Sequence, residues 1–299
     1  MPLIGADVNL QTSRIDRAAR AARAAAARAG VTVRPLEDVD EVVRLNDVFA
    51  AVWGLRGGGA AFVPVELAQA LRFSGNYIVG AFDGDRMVGG SVAFLGEHDD
   101  CRHLHSHITG VLPDLQHRSV GYALKLYQRG WALAHGIDEV VWTFDPLIRR
   151  NAYFNLAKLR ARIVDYHERF YGDALDDDIN RADESDRAVL VWPVGAAEVA
   201  EAVDGTLRRP SPTGGTVLLD IGDGDEPAVA DVDPAGVVRA RVPADIVALR
   251  RTRPDLALAW RFALREVMER AIERGYVAVD MSRDGWYTLL PPERGPVPG

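Results

Sequence analysis

The chain is short of lysine and almost without cysteine. Of its 35 basic residues only Lys125 and Lys158 are lysine; the others are arginine. Beside so much alanine this is a compositional habit, yet it makes the two lysines conspicuous. Cys101 is the one cysteine, so no intrachain disulfide can form and a reducing compartment is expected. No stretch approaches the ~18 apolar residues of a membrane-spanning helix. Met1 to Thr12 has no basic region leading into an apolar one, so a secretory leader is not expected and a cytoplasmic location is. Positive charge is also in deficit: 43 acids against 35 bases give a formal charge of -8. That disfavours nucleic acid as a partner. What remains is ordinary globular composition, 48% hydrophobic and 26% charged over 299 residues. Collagen-like, low-complexity and wholly disordered classes are excluded, and the length suits two domains.

Residues 13–29 are strong helix formers, with Ser13 as an N-cap and Gly30 as a stop. Arg14, Arg17, Arg20 and Arg23 share one side of that helix. Its apolar side is mostly alanine, too weak to anchor in lipid. The expectation is an extension that packs on the body of the protein or on a partner subunit. From Val31 strand and helix alternate. VTVRPL reads as a strand, and Asp38 caps a helix through VDEVVRLNDVFAAVWG. Pro64 opens a second helix, VELAQALRF. NYIVGAF and RMVGGSVAFLG flank Asp83-Gly84-Asp85, a hairpin signature. A third strand, RHLHSHITGVL, follows. VGYALKLYQRGWALAHG is the longest clear helix, EVVWTF a buried-type strand, and Arg149 to Arg160 a further helix. RIVDYHERFYG and RAVLVWPV read as strands around an acidic loop, 173–187, expected to be solvated. RRPSPTGG at 208–215 is the best linker. The implied division is a helical extension 1–30, a main domain 31–193, a linker 194–215, an α+β subdomain 216–293 and a tail 294–299. Trp260, Trp286 and Tyr287 belong to the later block and are read as core.

The chemistry concentrates between His103 and Gly172. In HITGVLPDLQHRSVGYALKLYQ an apolar strand ends in Val111-Leu112-Pro113. A short polar loop then leads into a helix near Gly121. A helix N-terminus leaves amide N–H groups unpaired and carries partial positive charge, which suits a pyrophosphate. Gly121 lets a ligand approach the backbone, and His117 and Arg118 add donors.

Gln116-His117-Arg118-Ser119-Val120-Gly121-Tyr122-Ala123 resembles the pyrophosphate loop of the GCN5-related N-acetyltransferase (GNAT) superfamily. That motif is glutamine or arginine, two residues, glycine, one residue, then glycine or alanine. Gln116 and Gly121 match, and Ser119 stands at the first glycine position. The W-T-F-D-P of 142–146, the N-A-x-x-N of 151–155 and the Y-x-x-x-x-Y-G ending at Gly172 resemble a subgroup of predicted acetyltransferases. Some of its members look linked to amino-acid N-succinylation. The resemblance covers about residues 31–193. It implies a mixed α+β fold, a mostly antiparallel central sheet flanked by helices, here with a C-terminal α+β extension.

The same resemblance implies acetyl-CoA, or succinyl-CoA, as co-substrate; no metal is expected, because a zinc site on His103, His105 and His107 would need further convergent ligands and Cys101 reads as a loop residue. Pantetheine would insert where the strand Ile108–Leu112 splays from Val140–Phe144, pairing with backbone at Gly110, Val111 and Leu112. Amides of Gln116, His117, Arg118, Ser119, Val120, Gly121 and Tyr122 would hold the pyrophosphate. An N–H at Val111 or Leu112 would polarise the thioester carbonyl. Two positions depart from the pattern: the usual tyrosine acid falls at Leu156, and the glycine ending that helix falls at Arg160.

Other candidates come from the residues themselves. His103, His105 and His107 alternate on a strand and share a face, where His105 and His107 could take a proton from an amine or be structural. Tyr166, Tyr171 and Tyr153 are alternative acids. Asp145 ends a strand and serves either the site or its turn. Asn151 and Asn155, one helical turn apart, could meet the cofactor or nothing. Lys125 could reach a phosphate or solvate its helix.

The function expected is transfer of an acetyl or succinyl group from CoA to the amine of a small molecule, such as an amino acid, by direct attack. A non-catalytic acyl-CoA-binding module, or a hydrolase or decarboxylase on the same fold, are the alternatives. A succinyl carboxylate would want a cation from Arg149, Arg150, Arg160 or Arg162. The later block could cover an acceptor cleft or close a homodimer.

Overall fold

The computed structural model describes residues 3–53, 62–98, 101–172, 183–207 and 214–292. In chain order its elements are α1 (Leu3–Ala29), β1 (Thr32–Pro35), α2 (Val39–Trp53), α3 (Val65–Phe73), β2 (Tyr77–Asp83), β3 (Arg86–His98), β4 (Cys101–Val111), α4 (Val120–Ala134) and β5 (Glu139–Phe144). There follow α5 (Arg149–Ala152), β6 (Arg162–His167), β7 (Arg187–Pro193), α6 (Ala197–Asp204), β8 (Thr216–Ile221), β9 (Pro227–Val229), β10 (Val238–Arg241), α7 (Ile246–Thr252), α8 (Pro254–Ile272), β11 (Val277–Met281) and β12 (Trp286–Leu290). The class is mixed α+β, and most strand pairs are antiparallel.

Two compact units divide the chain, and the division is not the one expected. The first holds residues 1–142 and 193–204, the second 143–192 and 205–299. The expected domain 31–193 is therefore shared between them.

In the first unit the strands run in the order β1-β2-β3-β4-β5. The first four are antiparallel, and β5 joins β4 in parallel. Asp38 caps α2 by accepting from the Glu41 amide at 2.8 Å. Glu41 also takes Arg34 at 2.6 Å, and that bond holds its carboxyl down at about 2. Leu45, Val48 and Phe49 of α2 pack with Ile78, Phe82 and Val92 into a core. α1 begins ten residues before Ser13, so Ser13 lies inside the helix. Ala18, Ala22, Ala25 and Ala29 recur at helical spacing and are buried. Gly130 of α4 faces the α1 backbone at Ala18 and Ala19. The arginine side is tied down by hydrogen bonds. Arg14 donates to Gly195 O at 2.5 Å, and Arg17 Nε to Asp204 at 2.9 Å. Arg129 donates to Val194 O at 2.8 Å. These three bonds correct the expected linker at its start: residues 194–204 are ordered, include α6 and belong to the first unit. Residues 208–213 lie outside the described residues.

The second unit's strand order is β7-β6-β11-β12-β10-β8-β9. α8 buries Leu256, Trp260, Leu264, Val267 and Met268. Trp260 and Tyr287 are core, as expected, whereas Trp286 is half-buried beneath Arg239 and Arg241. The helix expected at Arg149–Arg160 is one α-helical turn followed by a π-helical segment, Tyr153–Lys158. The strand expected to reach Gly172 stops at His167. The acidic loop departs from expectation where it is described. Asp183 and Asp186 have side chains 1% and 0% exposed and are ion-paired rather than solvated.

Candidate functional site

The first unit gathers most of the expected donor-binding residues. β5 is in register with β4 at Leu104–Val140 and His105–Val141. From Ser106 onward β4 has β3 as its strand neighbour in this unit. Leu112 N–H donates to Val88 O at 2.9 Å. By the alternation of an antiparallel ladder, the backbone of Val111 then turns away from β3. Gln116 Nε2 donates to Val111 O at 3.3 Å from that outer side. Of the two amides expected to polarise a carbonyl, Leu112 is thus occupied and Val111 points away from β3.

A bulge reorganises the middle of β4. Val92 pairs with Ile108 and Ala93 with Ser106, so His107 is the extra residue. The bulge resets which residues share a face. His105 and His107 stand on one side with ring centroids 6.4 Å apart, both beside Phe94. Gly110 joins that side after the bulge, against α2. A Cβ on Gly110 would come within 2.9 Å of the Trp53 ring and 3.1 Å of Phe49. Phe49, Trp53 and Phe62 form an aromatic wall there. His105 is half-buried, and burial, with His107, His103 and Lys125 nearby, lowers it to about 4. His107 is exposed at its surface; burial of part of the ring lowers it too, against a hydrogen bond to the Phe62 backbone.

Pro113–Arg118 forms a 3-10 turn, and Ser119 then takes φ 63° and ψ 21°. This left-handed conformation favours glycine, which explains why the motif keeps glycine at that position. Arg160, at the second position where the pattern has glycine, also has positive φ, 65°. Helix α4 starts at Val120, and its first amides point into the loop by helix geometry. Gly121 has open space: the nearest atom to a Cβ would be Val111 Cγ2 at 3.8 Å. Gln116, His117 and Ser119 are exposed. Arg118 is tied back to Asp83 at 2.9 Å.

Lys125 does neither thing expected of it. It is buried on the inner side of α4, donating to Ser106 Oγ and Gln128 Oε1, each at 3.0 Å. Its Nζ lies 3.9 Å from the Trp142 ring centroid, and burial lowers it to about 7. Sequence reasoning missed Ser106, Gln128 and the aromatic wall. The available signal was the face Gly121–Lys125–Gln128–Ala132 of α4, where two polar residues share a stripe with two small ones.

The remaining candidates lie in the second unit. Asp145 accepts from Arg250 at 2.5 Å, from Arg261 at 3.0 Å and from the Leu147 amide at 3.0 Å. Burial alone would raise its carboxyl, but Arg261 and Arg250 prevail and hold it far below the usual range. Tyr166 donates its hydroxyl to Asp186 at 2.8 Å and is pushed up by burial. Tyr171 is exposed, with Arg187 5.3 Å from its ring centroid. Asn151 is exposed and Asn155 buried. Tyr153 meets Arg283 at 3.3 Å, and Leu156 is fully buried. No group of three or more His, Cys, Asp or Glu side chains placed to hold a metal occurs among the described residues. Among the same residues no helix is long and apolar enough to cross a membrane.

No family model matches the chain, and no curated protein matches it. Solved structures do. The ribosomal-protein-S18-alanine N-acetyltransferase from Escherichia coli is 12% identical, with a TM-score of 0.44 over 56% of this chain and 96% of that one. Arabidopsis thaliana Naa50 in complex with a CoA bisubstrate analogue is 14% identical, at 0.40 over 54% and 97%. Aminoglycoside 6'-acetyltransferase type Ii is 17% identical, at 0.42 over 55% and 97%.

Proposed function

We propose that the protein is a CoA-dependent N-acyltransferase of the GNAT type, moving an acetyl group, or a succinyl group, to the amine of a small molecule. The observation that carries this reading is the edge of β4 from Ser106 to Val111, beyond its two-residue register with β5, leading into the left-handed Ser119 and the first amides of α4. At ~3.3 Å per residue that edge runs about 17 Å. An extended chain bearing amide groups suits such an edge, and a pyrophosphate suits the amides at its end. Gly110, Val111 and Leu112 would line the chain, and Gln116 to Tyr122 the phosphates. The Val111 amide is the one available to polarise a thioester carbonyl.

In the mechanism we infer, the acceptor amine attacks the thioester directly and no enzyme nucleophile is acylated. His107, exposed beside the aromatic wall, accepts the amine's proton, and His105 stands next to it. Tyr166 and Asp145 are committed to Asp186 and to arginines, and Leu156 has no proton to give. In this mechanism the departing thiolate takes its proton from water. The pairing of acetyl-CoA or succinyl-CoA with a panel of amines tests the reading. Free thiol should appear only with an amine present. Thiol without amine would make the protein a hydrolase, and CoA binding without thiol a binding module. Gly121→Val is the companion test: the space around Gly121 lets the fold accept it, while the side chain crowds the loop amides. CoA affinity should fall more than tenfold by calorimetry; unchanged affinity would remove the loop assignment.

A further inference from the structure

Ser106, Lys125 and Gln128 close a ring of hydrogen bonds inside the first unit. Lys125 Nζ meets Ser106 Oγ and Gln128 Oε1 at 3.0 Å each, and Gln128 Nε2 donates to Ser106 Oγ at 3.1 Å. All three are buried, and Trp142 closes the amine's remaining side. Among the described residues no carboxylate pairs with Lys125. A buried amine without a counter-ion is unfavourable, and a methionine would fill the same space. Ser106 is the residue between His105 and His107, with its side chain on the opposite face. The ring therefore grips the bulge at its centre, from behind the imidazoles.

We propose that Lys125 is a positioning residue of the candidate site: through Ser106 it pins the bulge that presents His105 and His107, and it sets a positive charge near His105. This rests on the reading of His107, with His105 beside it, as the acceptor of the amine's proton. The groups that face His105 support the electrostatic part. Its own strand contributes His103 and His107, and α4 contributes Lys125. β3 presents the Phe94 ring. No acid among them offsets the lysine charge. Near the pH where His105 takes up a proton, Lys125 is fully charged, so the effect is present in full.

The test uses the full chain with Lys125→Met, which keeps the volume and removes the charge. Histidine ring signals are followed by NMR against pH, assigned with His105→Gln and His107→Gln. The His105 midpoint should rise by about half a pH unit or more, a lower bound beside the roughly 1–1.5 units that a unit charge about 8–12 Å away gives at an effective dielectric of ~20 before solvent screening. An unmoved His105 midpoint in a folded Lys125→Met protein overturns the proposal. Wild-type protein that transfers no acyl group would defeat the function reading instead, and the NMR titration would still decide the lysine's role. If the variant fails to fold, labelled lysine in the wild type gives two signals, from Lys125 and Lys158. The Lys125 signal should then shift as His105 titrates; a flat signal there also overturns the proposal.

Discussion

Gly110 has no room for a side chain, because Trp53 and Phe49 lie where its Cβ would go. Gly110→Ala should destabilise the first unit by about 1–3 kcal/mol, read by urea denaturation, with Trp53 fluorescence changed. Ser119 is the opposite case. A non-glycine residue in the left-handed region costs about 1–2 kcal/mol, and glycine returns some 0.5–1 of that as unfolded-chain entropy. Ser119→Gly should therefore stabilise by about 0.5–1 kcal/mol. Ser119→Val, β-branched in the same conformation, should destabilise. The loop was legible because its backbone needs are local: a strand end, a tight turn, a helix start. Gly110 was not recognised as a packing site, because its neighbours come from α2, more than fifty residues earlier in the chain.

Two elements carry charge that titration should reveal. Asp145 is held far below its unfolded value of ~3.9, so its contribution is complete above that pH and is lost as pH falls below it. The second unit should weaken in acid, and Asp145→Ala should cost about 3–5 kcal/mol at pH 7 by leaving Arg250 and Arg261 without this partner. Lys125 has the reverse sign. Its value in the folded chain, about 7, lies below the ~10.4 of the unfolded one, so the unfolded chain binds more protons between them. Stability should rise with pH from about 7 to about 10.4. Lys125→Met should abolish that slope and stabilise at pH 6 by more than about 1.4 kcal/mol in thermal melts. The elements themselves were mostly readable from hydrophobic period, the Asp38 cap and the Asp-Gly turn. Their charges were not: Asp145 and Asp183 find Arg250 and Arg261 across long stretches of chain, and no local pattern announces such a partner.

At the scale of the molecule, the expected domain 31–193 coincides with neither compact unit. A fragment with those ends would hold Asp145 without Arg250 and Arg261, and Asp186 without Arg265. It should show no cooperative unfolding by calorimetry, whereas the full chain should. The composition break near 208–215 hid this, because a polar, proline-rich stretch looks the same whether it joins two domains or runs between parts of one unit. The chain passes between its two units three times, at residues 142, 192 and 204. These passages matter during synthesis. The first unit is complete once Asp204 has left the ribosome. Residues 143–192 must then wait for α8, β11 and β12, nearly a hundred residues later. At roughly 5–20 residues per second that is a delay of about 5–20 seconds. Through it the aspartates stay solvated, and the apolar residues around them stay open to chaperones.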